Sequence, residues 1–157
     1  MRVGLLALAL LGCAALAQEK PPIAWSFGKP TIEGRAVPGA TVKVKVKAAI
    51  GDGWHLYSLK KLDGGPIATS IAVPPEQPFT LNGTIEAEEP MRLDDPVFGM
   101  EVEFYIESAE FTVPVKIAAG VKPGVQKLTI APRYQTCNGK LCLPPRTVRL
   151  ELPVKVD

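Results

Sequence analysis

The chain alternates apolar and polar residues in short runs. From Thr41 to Lys47 it reads Thr-Val-Lys-Val-Lys-Val-Lys, so valine and lysine take turns. Successive side chains of a strand point to opposite faces, and a period of two therefore indicates a half-buried strand. We expect the valines to face a core and the lysines to form a solvated row.

Similar runs recur along the chain and are separated by turn residues. The further predicted strands are Ile23 to Gly28, Trp54 to Ser58, Leu81 to Glu86, Val102 to Glu107, Glu110 to Ile117, Val125 to Ala131 and Thr147 to Val156. The 16 prolines and 14 glycines are spread throughout, which disfavours long helices. Seven or eight short strands predict an all-β protein, a single-domain antiparallel β-sandwich of immunoglobulin-like type.

Two segments lack this alternation and are predicted to be loops. Leu59 to Ser70 is polar and rich in glycine, and Glu88 to Met100 contains Pro90, Pro96 and Gly99. Loops of this length are uncommon in compact domains and are often functional lids.

The first 17 residues have the pattern of an export signal. Arg2 precedes an apolar run from Val3 to Leu11, and Ala15-Leu16-Ala17 supplies a small-x-small cleavage pattern. The run is too short for a membrane-spanning helix, which needs roughly 20 residues. We therefore expect a signal peptide over residues 1–17 and one domain over residues 18–157.

An alternative processing route stays open. Leu10-Leu11-Gly12-Cys13 resembles a lipoprotein signal, in which Cys13 would carry a lipid and tether the protein to a membrane. We expect no other membrane contact. The formal net charge of +2 gives no reason to expect nucleic acid as a partner.

Two cysteines, Cys137 and Cys142, remain after removal of residues 1–17, and export would place them in an oxidising compartment. Asn138-Gly139 between them is a turn signal and predicts a hairpin. A two-residue loop would set the cysteines on a diagonal at about 7–8 Å, beyond the roughly 4.4–6.8 Å between the Cα atoms of most disulfides. We favour a four-residue loop, in which the cysteines face each other.

Such a bond could be a structural staple or a site of thiol exchange. Closing a six-residue ring contributes about 2 kcal/mol in the chain-entropy relation, which makes a weak staple. Lys140, with Arg133 and Arg146 nearby, would favour the thiolate form of the cysteines. A zinc site is disfavoured because two cysteines and His55 are too few ligands. Copper held by both cysteines and a methionine stays a further alternative.

Three segments resemble a known family. Tyr134 to Pro145 reads Tyr-Gln-Thr-Cys-Asn-Gly-Lys-Leu-Cys-Leu-Pro-Pro. It resembles the active-site segment of the N-terminal periplasmic domain of DsbD-type thiol:disulfide interchange proteins, which has Tyr-Gln-x-Cys, a short insert and Cys-x-Pro-Pro. Asp52 to Ser58 is similar to that family's aromatic strand beside the cysteines, and Asp94 to Gly99 to its cap loop.

The resemblance implies an immunoglobulin-like fold and a role for each site residue. Cys142 would form mixed disulfides and Cys137 would resolve them, while Tyr57 would pack beside the pair. The cap loop would contain Asp94 and Asp95 and would cover the cysteines with either Val97 or Phe98. An apolar cap would exclude oxidants that are not partners, and the acidic pair would disfavour thiolate. His55 is expected at the surface.

The resemblance also implies partners and a periplasmic location, with no cofactor. Electrons would come from a thioredoxin-like protein or domain and a membrane-embedded thiol reductant, and would go to periplasmic disulfide isomerases or similar clients. Two departures are visible: the insert between the cysteines is about one residue short, and the sequence stops at Asp157, so we expect the donor to be a separate protein. The alternative function is a non-redox immunoglobulin-like binding module with a structural disulfide.

Overall fold

A computed structural model describes residues 21–157, which form thirteen strands joined by turns and loops. The strands are β1 (Ile23–Glu33), β2 (Thr41–Ile50), β3 (His55–Tyr57), β4 (Ser70–Ala72), β5 (Phe79–Leu81), β6 (Glu86–Ala87), β7 (Met91–Asp95), β8 (Met100–Tyr105), β9 (Ser108–Ile117), β10 (Gly124–Tyr134), β11 (Thr136–Cys137), β12 (Arg146–Thr147) and β13 (Leu150–Val156). Within this part of the chain, no helix is long and apolar enough to cross a membrane. The predicted signal peptide and Cys13 lie outside the described residues.

Two sheets enclose the main core. The first has the order β1-β2-β9-β5, with β6 also paired to β9, and the second has the order β12-β10-β13, with β4 paired to β10. Every pairing is antiparallel. The all-β, antiparallel prediction is confirmed.

The alternation in the sequence explains how the main core forms. Val42, Val44 and Val46 of β2 are buried, and they share one apolar cluster with Leu128 and Ile130 of β10. Each such side chain contributes about 1.5–3 kcal/mol when it is fully removed from water. The lysines between the valines lie on the opposite face, as expected.

A third sheet, of order β11-β3-β8-β7, carries a second and smaller buried cluster. Cys137 of β11 lies opposite His55 of β3, and Tyr57 of β3 lies opposite Phe104 of β8. Because directly opposed residues of antiparallel strands share a face, these four side chains lie on one side of this sheet.

The prediction of one long loop from Glu88 to Met100 is wrong. Met91–Asp95 forms β7, which pairs with β8 over its whole length, while Glu88 to Pro90 and the turn from Pro96 to Gly99 contain no strand. Of the β7 side chains only Asp95 is buried, so this edge strand has no apolar alternation to reveal it. By contrast, residues 59–69 contain no strand, in agreement with the other loop prediction.

Candidate redox site

The two cysteines form a disulfide across the tip of a hairpin. Cys137 and Cys142 oppose each other as an antiparallel bridge, with their Cα atoms 4.1 Å apart. The amide of Asn138 donates to the carbonyl of Leu141 at 3.0 Å, which closes the four-residue loop favoured from the sequence. The Asn138 side chain also accepts hydrogen bonds from the amides of Lys140 and Leu141, so the tip is held by its own residues.

The two sulfur-bearing residues differ in burial. Cys137 is 0% exposed and belongs to the smaller cluster with Tyr57, Val102 and Phe104. Cys142 is only partly buried and packs at the edge of that cluster. A reagent that approaches from solvent therefore reaches Cys142 first.

The β7–β8 turn brings an aromatic side chain to the same cluster. Phe98 is partly buried there, with its ring centroid 6.0 Å from that of Tyr57 in an edge-on arrangement. Its neighbour Val97 is 47% exposed. Of the two cap candidates, only Phe98 lies against the cluster that contains the cysteines.

Asp95 ties this turn to Tyr57. Its Oδ2 accepts a hydrogen bond from the Tyr57 hydroxyl at 2.7 Å, and its Oδ1 accepts one from the Val97 amide at 2.8 Å. Its carbonyl accepts a third hydrogen bond from the Gly99 amide at 2.7 Å. Asp95 is 3% exposed, whereas Asp94 is exposed. The two acidic residues of the expected cap loop thus occupy different environments.

His55 belongs to this network, and its expected position at the surface is wrong. Its side chain is only 15% exposed, and its Nε2 lies 3.1 Å from the Tyr57 hydroxyl and 3.8 Å from Oδ2 of Asp95. Its ring also meets Phe104 edge-on, with centroids 5.2 Å apart. The available signal was its spacing of two from Tyr57, which places both side chains on one face of a strand.

Burial sets the charge state of this network. Burial lowers the pKa of His55 below its ordinary value, and the nearby Asp95 carboxylate opposes that shift. Burial, together with the hydrogen bond to Asp95, raises the pKa of Tyr57 well above its usual range. Tyr57 therefore stays a neutral phenol that donates to Asp95.

The basic residues near the cysteines in sequence are all exposed. Lys140 lies in the hairpin tip, Arg133 on β10 and Arg146 on β12. Solvent and salt screen exposed charges, so their influence on a thiolate at Cys142 is small.

An apolar surface pocket flanks the hairpin tip. Leu141 and Leu143 form one wall, and Trp54, Ile50 and Pro22 are among the residues that line the rest. Leu141 is 55% exposed. Cys142 lies between Leu141 and Leu143 in the chain but is not among the residues that line this pocket.

Comparison with known proteins identifies the family. Residues 29–153 match the family described as "Thiol:disulfide interchange protein DsbD, N-terminal". The chain belongs to this family. The DsbD N-terminal family has a role in thiol:disulfide interchange, and together with the bonded cysteine pair it supports thiol–disulfide exchange as the general chemistry of the chain.

Two solved structures have a similar fold. The N-terminal domain of Neisseria meningitidis DsbD, in its reduced form, is 21% identical with a TM-score of 0.52, over 76% of this chain and 82% of that one. The N-terminal periplasmic domain of ScsB from Proteus mirabilis is 16% identical with a TM-score of 0.51, over 83% of this chain and 44% of that one. These likenesses establish the immunoglobulin-like sandwich. No curated protein matches the chain.

Proposed function

We propose that this chain is an exported, periplasmic thiol–disulfide exchange protein that relays reducing equivalents through Cys137 and Cys142. It receives electrons from a thioredoxin-like protein or domain, supplied by a membrane-embedded thiol reductant, and passes them to periplasmic disulfide isomerases or similar clients. Membership of the DsbD N-terminal family supports the chemistry, while the donor, the clients and the location are proposals.

One observation carries the proposal: the disulfide joins a partly exposed cysteine to a fully buried one at a hairpin tip. A thiolate of the donor attacks the sulfur of Cys142, and the electron pair of the broken bond leaves on Cys137. A second donor thiolate then releases Cys142, which leaves a dithiol here and a disulfide in the donor. In client reduction the same steps run in reverse, with Cys142 in the mixed disulfide and Cys137 resolving it.

The cap explains how a reduced pair survives among oxidants. Phe98 packs on the cysteine cluster, and the three hydrogen bonds accepted by Asp95 hold its turn in place. The ring limits the access of small oxidants on the side of the cluster that it covers. A partner that displaces Phe98 exposes Cys142, so access depends on recognition.

Matched cysteine variants test the assignment of roles. Reduced Cys137→Ser keeps the accessible sulfur, and we expect it to accumulate a mixed disulfide with an oxidised thioredoxin-fold protein. Reduced Cys142→Ser keeps only the buried sulfur, and we expect it to form almost none. Non-reducing electrophoresis with mass spectrometry of the linked peptides measures both.

Two outcomes would overturn the proposal. If neither variant forms a mixed disulfide and the wild-type bond is inert to reduced thioredoxin, the bond is a structural staple. If Cys142→Ser traps the partner as well as Cys137→Ser does, the assignment of Cys142 as the attacking residue is wrong.

A second pair of variants tests the cap. Phe98→Ala removes the ring from the cysteine cluster, and we expect alkylation of the reduced protein by iodoacetamide to become faster. Val97→Ala, one residue away and exposed, is the control and should leave the rate unchanged. Equal rates for wild type and Phe98→Ala, measured by quenched mass spectrometry, would remove the cap from the mechanism.

A further inference from the structure

Cys137 is buried and, unlike the accessible Cys142, cannot exchange a proton directly with solvent. Reduction of the disulfide takes up two electrons and two protons, and a thiolate at the partly exposed Cys142 can take its proton from solvent. Cys137 is 0% exposed, and a charged group without a partner is strongly disfavoured when it is removed from water. A proton must therefore reach Cys137 as the bond opens and leave it as the bond closes.

His55 lies at the place from which such a proton could come. It is directly opposite Cys137 in the β3–β11 pair, where the Cβ atoms of facing residues are about 4.5–5.5 Å apart. It is the single histidine of the chain. Imidazole is the side chain whose ordinary pKa allows it both to give and to accept a proton near neutral pH.

The hydrogen bonds around Tyr57 determine which of the two ring nitrogens of His55 is free. The one hydroxyl hydrogen of Tyr57 is donated to Asp95, so its oxygen accepts the hydrogen on Nε2 of His55. Within residues 21–157, Nδ1 of His55 has no hydrogen-bond partner. This nitrogen is therefore the one that can take up and release a proton.

His55 is one of the residues that line a surface pocket. This pocket is lined by residues of the β2–β3 connection and of the β8–β9 turn, so solvent reaches the histidine from there. The titratable groups around the ring are Tyr57 on its own strand, Asp95 on β7, Cys137 on β11, and Asp52 and Glu107 in the two turns. His55 thus both lines a solvent-open pocket and faces the buried half of the disulfide across the β3–β11 pair.

We propose that His55 is the acid–base group for Cys137, an inference that rests on the proposed exchange at this disulfide. When a thiolate attacks Cys142, the leaving sulfur of Cys137 takes a proton from the His55 imidazolium. The neutral ring then regains a proton from solvent through the pocket. In the opposite direction, neutral His55 removes the proton of Cys137 as its sulfur attacks the mixed disulfide at Cys142.

The test uses His55→Gln, which keeps an N–H donor for the Tyr57 oxygen but cannot carry a proton. Reduction by excess dithiothreitol and reoxidation by its cyclic disulfide are followed by acid quench and mass spectrometry, with rates normalised to the thiolate concentration. We expect both rates to fall by about tenfold or more. The equilibrium constant with dithiothreitol should not change, because an acid–base group speeds both directions equally.

Asp52→Asn is the matched control, since it removes a charge from the same pocket without touching the Tyr57 network. It should leave both rates unchanged. Wild-type rates in His55→Gln contradict the proposal. So does a slower rate accompanied by a proportionate shift of the equilibrium constant, because that pattern means that His55 stabilises one redox state instead of moving a proton.

If His55→Gln does not fold, the wild-type protein decides the question. Its single imidazole can be titrated by NMR, and the normalised rates should show an inflection at the same pH. A profile without that inflection contradicts the proposal. Dithiothreitol needs no docking surface, so these rates test His55 separately from the relay. Failure of the relay would appear as absence of exchange with thioredoxin-fold proteins.

Discussion

The molecule has two buried clusters that differ in composition and in position. The larger lies between the two main sheets and consists almost entirely of aliphatic and aromatic side chains. The smaller contains Cys137 and Tyr57 and is bordered by Phe98, Cys142 and the hydrogen bonds of Asp95. The larger cluster is the main apolar core and the smaller one contains the proposed exchange site, so we expect substitutions in the two clusters to differ in their effect on stability.

The sheets that carry the two clusters also differ in topology. β2 and β9 of the main sheet are paired on both sides, whereas the third sheet ends at β7, whose turn carries Phe98. Opening that turn breaks few contacts compared with opening the main core. In the proposed function Phe98 is displaced by a partner, and segments that move during function come from such low-stability regions.

The sharpest test of this division compares two phenylalanines. Phe111 is fully buried in the main core and packs against Trp25 and Tyr105. We expect Phe111→Ala to lower the free energy of unfolding by about 3–5 kcal/mol. Phe98→Ala, at a partly buried tip, should cost clearly less in the same urea titration. Equal losses would mean that the two clusters form one energetic unit.

Opening the disulfide should lower the free energy of unfolding less than the substitution Phe111→Ala does. The bond closes a ring of only six residues, and the chain-entropy relation gives about 2 kcal/mol for it. Urea unfolding of the oxidised and the reduced wild-type protein measures this difference directly. A loss as large as that from Phe111→Ala would favour the non-redox binding module, in which the bond is a staple.

The smallest change in the free energy of unfolding should come from substitutions of the acidic pair, Asp94 and Asp95. Asp95→Asn replaces charge-assisted hydrogen bonds to Tyr57 and Val97 by neutral ones, which we expect to cost about 1 kcal/mol in unfolding free energy. Asp94→Asn, next to it and exposed, should stay within about 0.5 kcal/mol of wild type. Equal effects of the two variants would show that the network of Asp95 does not stabilise the turn.

The sequence predicted the main sandwich well because its strands are half buried. The alternating valines of β2 mark a face that packs on a core, and the structure buries them. β7 was missed for the opposite reason, since four of its five residues are exposed and leave no pattern. An exposed edge strand such as β7 is defined by its pairing with a neighbouring strand, and the local sequence pattern does not indicate that pairing.

The candidate site was predictable only in part. The cysteine pair and its four-residue loop followed from local spacing and turn residues. The choice between Val97 and Phe98 depends on the direction of adjacent side chains in a turn, which the sequence did not define. The link from His55 through Tyr57 to Asp95 joins residues on strands far apart in the chain, so local reasoning placed His55 at the surface.

The most direct test of the account is the midpoint potential of the Cys137–Cys142 pair, measured by equilibration in glutathione buffers with alkylation and mass spectrometry. A relay must both accept and pass on electrons, so we expect reversible titration well above about −300 mV. A bond that stays closed until more negative potentials are reached would be structural, and exchange at this hairpin would then be ruled out.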